Sequence, residues 1–416
     1  MQILVFIFFL IAICYLLIRI PFIKKSALDN KLLLSLFLIR AGAGIFLGWL
    51  ANHYSAENDY NTLNREGTTE FLNLIHLPGK FFTDIFYSPY KNSYGGFFDA
   101  TGSYWNDLRN NIITKILAFI NIISRGDYNT NSLILNILPF LGSIALYRVF
   151  SDIFTDRKRL LLFTCFLIPT TLFFSSGIHK DLFVYTAICF FCYGIYFISY
   201  DRFTIKRILL TIVSFLFILM MRNFVVITLL PALIAMIASI RMKIRPAVVF
   251  IALYVSITGL VMFAAAFADA DTFPHHPWAI ISKRQDEFIK LPEAKTSIHL
   301  TKFYPDVKSL VTNFPEAVNH GFLRPYIWEA KQWMGAVASL EWMLCFLLPL
   351  VLLVVKRNKI PKSKAFISFG LIFTISMFIL IGYITPNTNT ILRYKSIYLP
   401  LIITPVLCGV SLYKKE

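Results

Sequence analysis

Two acidic residues, Glu57 and Asp59, follow closely after an apolar stretch that ends at Leu50. A carboxylate beside a membrane surface can accept the proton of a hydroxyl group, which makes that hydroxyl reactive in group transfer. We expect Asp59 to be the favoured general base, with Glu57 as its substitute. The alternative is that both are solvated acids of a surface loop.

The short segment 175–181 lies between two apolar stretches and carries His179, Lys180 and Asp181. A His and a Lys side by side can hold a phosphate through charge-assisted hydrogen bonds, and Gly177 lets the backbone come close to a ligand. We predict that His179 and Lys180 bind the phosphate of a donor substrate. The alternative is a plain turn in which Asp181 caps the next helix, which leaves the basic pair unexplained.

Arg222 lies between two short apolar stretches, and an ionisable side chain so close to hydrocarbon is costly without a partner and is a candidate for function. Arg324 lies at the end of the long segment 268–335, and Arg393 precedes the last apolar stretch. Because the planar guanidinium matches the oxygens of a phosphate, we predict that these arginines also bind the donor phosphate. Tyr326 and Trp328 are expected to be aromatic anchors at the membrane surface.

Arg40 lies near the middle of an apolar stretch, where inserting an arginine costs about 2.5 to 3.5 kcal/mol. Glu341 is the acid that the sequence places inside another such stretch. We therefore predict a structural pair between Arg40 and Glu341 within the membrane. Gly44 and Gly48 form a face of small residues beside Arg40, which indicates close helix packing.

The composition requires a bilayer as the surrounding solvent for these residues. Of the 416 residues, 57% are hydrophobic and 15% are charged, whereas soluble domains average roughly 45 to 50% and about 25%. Eleven apolar stretches approach the length of a membrane-spanning helix. They are 4–18, 32–50, 132–150, 160–174, 182–198, 208–221, 224–239, 248–267, 336–355, 365–384 and 397–412.

The positions of the basic residues predict the orientation of these stretches. Lys and Arg gather in short linkers that alternate with nearly neutral segments, so we place the linkers in the cytoplasm. The linkers are 19–31, 148–159, 202–207, 241–245, 356–364 and 414–416. The net charge of +17 is thus mainly an orientation signal and does not indicate nucleic-acid binding.

Two outer segments, 52–130 and 268–335, are too long to be simple connections. Apolar residues recur at helical spacing from Trp105 to Ile123, which predicts an amphipathic helix lying in the membrane interface. The alternative is that residues 110–130 form a twelfth span. We predict an all-α polytopic membrane protein with a single membrane domain, 1–416, about eleven transmembrane helices and interfacial helices in its first long outer loop.

The seven His and six Cys residues do not predict a metal site. The histidines lack the spacing of a helical metal site, and every Cys falls inside an apolar stretch. We expect no metal and no cofactor.

This arrangement resembles the GT-C superfamily, the polytopic glycosyltransferases that use polyprenyl-phosphate-linked sugars. The similarity lies in the acidic motif at Glu57 and Asp59, the turn that follows Pro169, and the Arg222-Asn223 pair two spans later. It implies metal-independent, base-assisted transfer of a sugar to a glycan or lipid acceptor of the cell envelope. It also implies a multi-pass protein of the cell (inner) membrane, in contact with membrane lipids, with an extracytoplasmic active face.

Three other functions fit parts of the same pattern. An O-antigen or exopolysaccharide polymerase or ligase would use diphospholipid-linked glycans and could draw on His320 and Arg324. A lipid or polysaccharide transporter would have many spans, but the charges gather at one face and no inverted repeat is visible. A non-catalytic membrane scaffold is the third alternative.

Overall fold

The computed structural model describes residues 2–54, 59–87, 104–267, 277–290, 296–329, 333–347, 349–351 and 363–410. Within these ranges the chain is helical, and the β pairing is an isolated bridge between Ser297 and Asn387. The chain divides into two compact units, Met1–Met221 and Arg222–Glu416. Whether they act as the single predicted membrane domain stays a prediction.

The first unit contains twelve α-helices within its described ranges. They are α1 Gln2–Arg19, α2 Pro21–Lys24, α3 Asn30–Tyr54, α4 Asp59–His76, α5 Pro78–Thr83, α6 Tyr104–Ser124, α7 Tyr128–Leu135, α8 Ile137–Ile153, α9 Lys158–Leu162, α10 Pro169–Phe174, α11 Lys180–Tyr200 and α12 Ile205–Met221. Helix α11 packs against α8 and α12, and α4 packs against α6.

The second unit contains eight further α-helices in its described ranges. They are α13 Val225–Met242, α14 Pro246–Phe267, α15 Pro277–Ile289, α16 Val307–Val318, α17 Trp333–Trp342, α18 Lys364–Ile384, α19 Thr388–Ser396 and α20 Leu399–Gly409. Helix α18 is the centre of the packing, because it contacts α13, α15, α16 and α20.

Six helical segments of the described residues are long and apolar enough to cross a membrane, so this is an all-α membrane protein. They are Gln2–Arg19, Asn30–His53, Tyr128–Ile153, Lys180–Tyr200, Val225–Met242 and Lys364–Ile384. A seventh span results if α19 and α20, which meet at an angle of 68°, count as one.

The predicted count of eleven spans is not confirmed, and one physical reason is the breaking of apolar stretches. In the stretch 160–174, a π-helical turn at Phe163–Leu167 separates α9 from α10, and Pro169 opens a new helix. Proline cannot continue the hydrogen-bond ladder of the preceding helix. An apolar stretch of sufficient length is therefore not always one straight helix.

The described parts of the segment 52–130 include the amphipathic helices α4 and α6. Helix α6 buries Ile113 and Leu117 and leaves Phe119 and Ile123 exposed. It ends at Ser124, where Arg125 and Gly126 adopt positive φ angles, and Asp127 then caps α7. Residues 110–130 consequently do not form one continuous twelfth span. The interfacial position of α6 stays a prediction, because no bilayer is present.

Candidate functional site

The segment 175–181 is a tight turn that leads from α10 into α11. His179 occupies the residue before the helix in an extended conformation, with φ −153° and ψ 159°. Lys180 is the first helical residue, and Asp181 lies in the first turn. An acid there is favourable because the free N–H groups of a helix start carry partial positive charge. His179 therefore occupies the N-cap position, and the expectation that Asp181 occupies it is wrong.

His179 lies between two carboxylates. Its Nδ1 atom is 2.9 Å from Asp181 Oδ2, and its Nε2 atom is 3.5 Å from Asp59 Oδ2. The His179 and Asp181 side chains are 3% and 1% exposed, whereas that of Asp59 is 61% exposed. The three residues thus form a chain from solvent into the protein interior, which we call the Asp59–His179–Asp181 relay.

The distances indicate where the imidazole proton resides. The backbone N–H of Asp181 lies 3.4 Å from His179 Nδ1, which is longer than the 2.9 Å contact with the Asp181 carboxylate. Nδ1 therefore donates its proton to Asp181, because a carboxylate can only accept. The Nε2 atom on the other side of the ring faces the Asp59 carboxylate. A buried carboxylate that orients an imidazole in this way is the arrangement that supports general base catalysis.

Close packing fixes the relay in place. The Tyr60 ring lies 5.4 Å from the His179 ring. A Cβ atom on Gly177 would come within 2.2 Å of Leu47 Cδ2 and 2.7 Å of Tyr60 Cε1. Glycine at 177 thus makes room for these side chains, a role that differs from the ligand approach expected from the sequence.

The turn is also anchored from α3 and α8. The guanidinium of Arg40 donates to the hydroxyls of Ser175 and Ser143, at 2.9 and 3.2 Å. The carbonyl of Ser176 accepts a hydrogen bond of 2.8 Å from the side-chain amide of Asn136. A Cβ atom on Gly44 would lie 2.7 Å from the same carbonyl, so the small-residue face of α3 permits this approach.

Arg40 is 1% exposed and has polar partners within its own unit. Glu341 belongs to the other unit, where it interacts electrostatically with Lys395. Lys395 also lies over the rings of Trp342 and Phe378, at 4.3 and 5.1 Å. The predicted Arg40–Glu341 pair stays a prediction, although hydroxyl groups already satisfy part of the guanidinium.

In the second unit, three arginines gather at two aromatic rings. The Arg222 guanidinium lies 3.9 Å from the Tyr394 ring centre, and Arg393 lies 5.7 Å from the same ring. Arg284 lies 5.2 Å from the Phe224 ring, to which Arg222 also comes within 6.0 Å. We call this the arginine cluster. Guanidinium groups bind phosphate oxygens through charge-assisted hydrogen bonds, so the cluster is a candidate anion site.

Arg284 is the member of the arginine cluster that the sequence did not indicate. It lies in the polar helix α15, away from the ends of the apolar stretches that drew attention to Arg222 and Arg393. It forms an ion pair of 3.4 Å with Glu287, one turn further along the helix. Its Nε atom is buried and has no hydrogen-bond partner among the described residues.

Arg324 is engaged within its own segment. Its guanidinium lies 3.2 Å from a carboxylate oxygen of Glu329 and 3.1 Å from His320 Nε2. These contacts occupy two of the nitrogens that the predicted phosphate binding would use. Among the remaining candidates, Lys180 is half-buried at the start of α11, and Glu57 lies outside the described residues.

Within the described ranges, no group of three or more His, Cys, Asp or Glu side chains is arranged to hold a metal ion. No protein-family model, curated protein or solved structure matches this chain. Functional interpretation consequently depends on the geometry of the Asp59–His179–Asp181 relay and the arginine cluster.

Proposed function

We propose that this protein is a glycosyltransferase of the cell membrane that moves a sugar from a polyprenyl-phosphate donor to a hydroxyl of a glycan or lipid acceptor. The observation that supports it most strongly is the relay, in which an exposed carboxylate is backed by a buried imidazole and a second, buried carboxylate. We place the reaction on the extracytoplasmic face, since the basic linkers assign the start of α4 to that side.

In the proposed reaction, Asp59 takes the proton of the acceptor hydroxyl. The acceptor oxygen forms a bond to the anomeric carbon of the sugar, and the bond between that carbon and the phosphate oxygen breaks. The electron pair of the broken bond leaves with the lipid phosphate. The proton passes from Asp59 to Nε2 of His179, and Asp181 stabilises the resulting imidazolium. Base assistance of this kind is worth about 10²- to 10⁴-fold in rate.

The proposal changes the role predicted for His179. Both of its ring nitrogens face carboxylates, so we assign it to proton transfer and not to phosphate binding. Arg222 and Arg393 remain predicted phosphate contacts, and Arg284 is added to them because it lies in the same cluster of the second unit. Lys180 is retained as a predicted phosphate contact. The contacts of Arg324 with Glu329 and His320 favour a different role for that residue.

The test is a transfer assay with the full-length protein in lipid nanodiscs. The donors are radiolabelled hexoses, N-acetylhexosamines and pentoses linked to polyprenyl phosphate, and the acceptors are extracted envelope glycolipids. Asp59→Asn should lower turnover at least 100-fold, because the amide cannot accept the proton. Glu66→Gln is the matched control, since Glu66 is an exposed acid on the same helix. Equal turnover by wild type and Asp59→Asn would refute the proposal.

A second candidate is a polymerase or ligase that uses a diphosphate-linked glycan. The arginine cluster favours it, because three guanidinium groups match the larger negative charge of a diphosphate. Competition experiments separate the two. Stronger inhibition by polyprenyl diphosphate than by polyprenyl phosphate would favour the second candidate.

A further inference from the structure

Two aromatic rings near the end of the second long outer segment form an exposed stack. The ring centres of Tyr326 and Trp328 are 4.7 Å apart, and their planes differ by 8°. The hydroxyl of Tyr326 donates a 2.6 Å hydrogen bond to Asn319, which fixes the phenol ring. Trp328 is 77% exposed. Tyr326 thus covers one face of the indole, and the other face is available to a ligand.

Beside this stack, three buried polar atoms lack a hydrogen-bond partner among the described residues. They are Nε of Arg324, Oε2 of Glu329 and Nδ1 of His320. The same side chains contact one another through their other atoms, at 3.2 Å between Arg324 and Glu329 and at 3.1 Å between Arg324 and His320. Buried polar atoms are rarely left unsatisfied, so this cluster has hydrogen-bonding capacity to offer to a ligand.

The protonation of His320 adds to this capacity. Burial and the neighbouring positive charge of Arg324 lower the pKa of His320 to about 4. The ring is therefore neutral at pH 7, and Arg324 donates to its Nε2 atom. The remaining proton resides on Nδ1, which makes it a buried donor.

We propose that Tyr326, Trp328, Arg324, Glu329 and His320 form a carbohydrate-binding subsite. The face of a pyranose ring that carries C–H bonds packs well on an aromatic ring. The π face of the aromatic ring is negative and attracts the slightly positive C–H hydrogens. Sugar hydroxyls both donate and accept, so they match the carboxylate oxygen and the two nitrogen donors. The choice of a carbohydrate rests on the proposed function, which requires that a glycan or a lipid-linked sugar be recognised.

Anchoring in the membrane interface is the competing explanation for the exposed indole. It accounts for Trp328 but leaves the three unsatisfied polar atoms beside it unexplained. The observations therefore favour a sugar.

The experiment uses the full-length protein in lipid nanodiscs, with its tryptophans replaced by 5-fluorotryptophan. Comparison with Trp328→Phe identifies the fluorine signal of Trp328. The probes are trisaccharides of glucose, N-acetylglucosamine, mannose and galacturonic acid. At least one should shift the Trp328 signal in a saturable manner. Glu329→Gln and Arg324→Gln should weaken that response about tenfold, because each removes part of the polar cluster.

Trp333→Phe is the matched control, since Trp333 is also an exposed tryptophan of the same unit. It should leave the titration unchanged. Unaltered signals from the other tryptophans show that each variant is folded. If no trisaccharide shifts the Trp328 fluorine signal, the proposal is overturned. It is also overturned if lipids with brominated acyl chains quench the fluorescence of Trp328, because the indole then lies in the membrane.

A further arm distinguishes the source of the sugar. The responding sugar is attached to a short polyprenyl phosphate and titrated again. If the lipid-linked sugar binds more tightly than the free sugar, the subsite belongs to the donor. If the two bind equally, it belongs to the acceptor. Titration and transfer assay of the wild-type protein together separate the two proposals. If the wild type binds sugar but transfers none from any donor, the subsite is supported and the proposed function is refuted. If it transfers sugar but shows no Trp328 response, the proposed function is supported and the subsite is refuted.

Discussion

Arg40 donates a 2.9 Å hydrogen bond to the hydroxyl of Ser175 and so joins the middle of α3 to the turn that carries His179. Its second terminal nitrogen donates to Ser143, whose hydroxyl lies 2.9 Å from that of Tyr185. One buried guanidinium thus positions groups from α3, α8 and α11 together with the turn. The location of His179 depends on this contact.

Replacing Arg40 with lysine should lower the melting temperature in detergent by several degrees. Lysine keeps the charge, but its single ammonium cannot reproduce the forked geometry that reaches both Ser175 and Ser143. An unsatisfied buried partner costs about 1 to 3 kcal/mol. The measurement is thermal unfolding, with Arg65→Lys on the exposed side of α4 as control. Equal destabilisation by both variants would contradict the role given to Arg40.

Gly177→Ala should destabilise the first unit by about 1 to 3 kcal/mol, the usual cost of overpacking. The added methyl group would come within 2.2 Å of Leu47. Gly79→Ala is the control, because no atom lies within 4 Å of a Cβ atom there and alanine suits a helix better than glycine. Denaturant unfolding of both variants checks the difference. If Gly177→Ala left the free energy of unfolding unchanged, the turn would be able to move away from Leu47, which would contradict the tight packing described for Gly177.

Asp181→Asn should lower the turnover of the proposed transfer about 100-fold and leave the KM for the donor unchanged. The amide no longer stabilises an imidazolium at His179, and it does not touch the donor. His179→Gln should have a similar effect. The double variant should be no slower than either single variant, because the two residues act in one chain. If the loss of turnover in the double variant equals the product of the two single losses, Asp181 and His179 act independently, which would contradict the relay.

Arg284→Gln should weaken binding of polyprenyl phosphate about tenfold or more. A hydrogen bond to a charged group contributes about 1.5 to 3 kcal/mol, and the buried Nε atom of Arg284 has no partner among the described residues. Lys283→Gln, one residue away on α15, is the control and should bind normally. Binding can be measured by native mass spectrometry. Equal affinities would remove Arg284 from the arginine cluster.

Protonation of His320 should make stability depend on pH. Its pKa falls from 6.5 to about 4, chiefly through burial and then through Arg324 and His299, with Glu316 opposing. The unfolded chain therefore binds the proton first as the pH falls. The contribution of neutral His320 to the free energy of unfolding is complete above pH 6.5. It is lost as the pH falls from 6.5 to about 4, and the loss is on the order of 3 kcal/mol. His320→Gln should flatten this part of the pH profile of thermal unfolding.

Apolar stretches of the sequence were good guides to individual helices. The stretch 182–198 lies within α11, and 365–384 lies within α18. The stretch 160–174 instead divides between α9 and α10 at a π-helical turn, and Pro169 opens the second helix. Hydropathy measures how apolar a segment is, and it does not register where the backbone turns.

The candidate site was only partly visible in the sequence. The contact of His179 with Asp181 joins neighbours two residues apart, whereas that of His179 with Asp59 spans 120 residues. Arg284 meets Phe224 across 60 residues of the chain. Residue type indicated Asp59, His179 and Arg222 as chemically capable, but only the fold determines which groups face each other.

The burial of Arg40 has a consequence for biosynthesis. Its hydroxyl partners, Ser143 and Ser175, follow it by 103 and 135 residues, so they leave the ribosome long after α3 has formed. During that interval, α3 must wait at the edge of the insertion machinery with a hydrated guanidinium. Chains truncated before Ser143 should therefore fail to integrate α3 stably, which glycosylation mapping of nascent chains would detect.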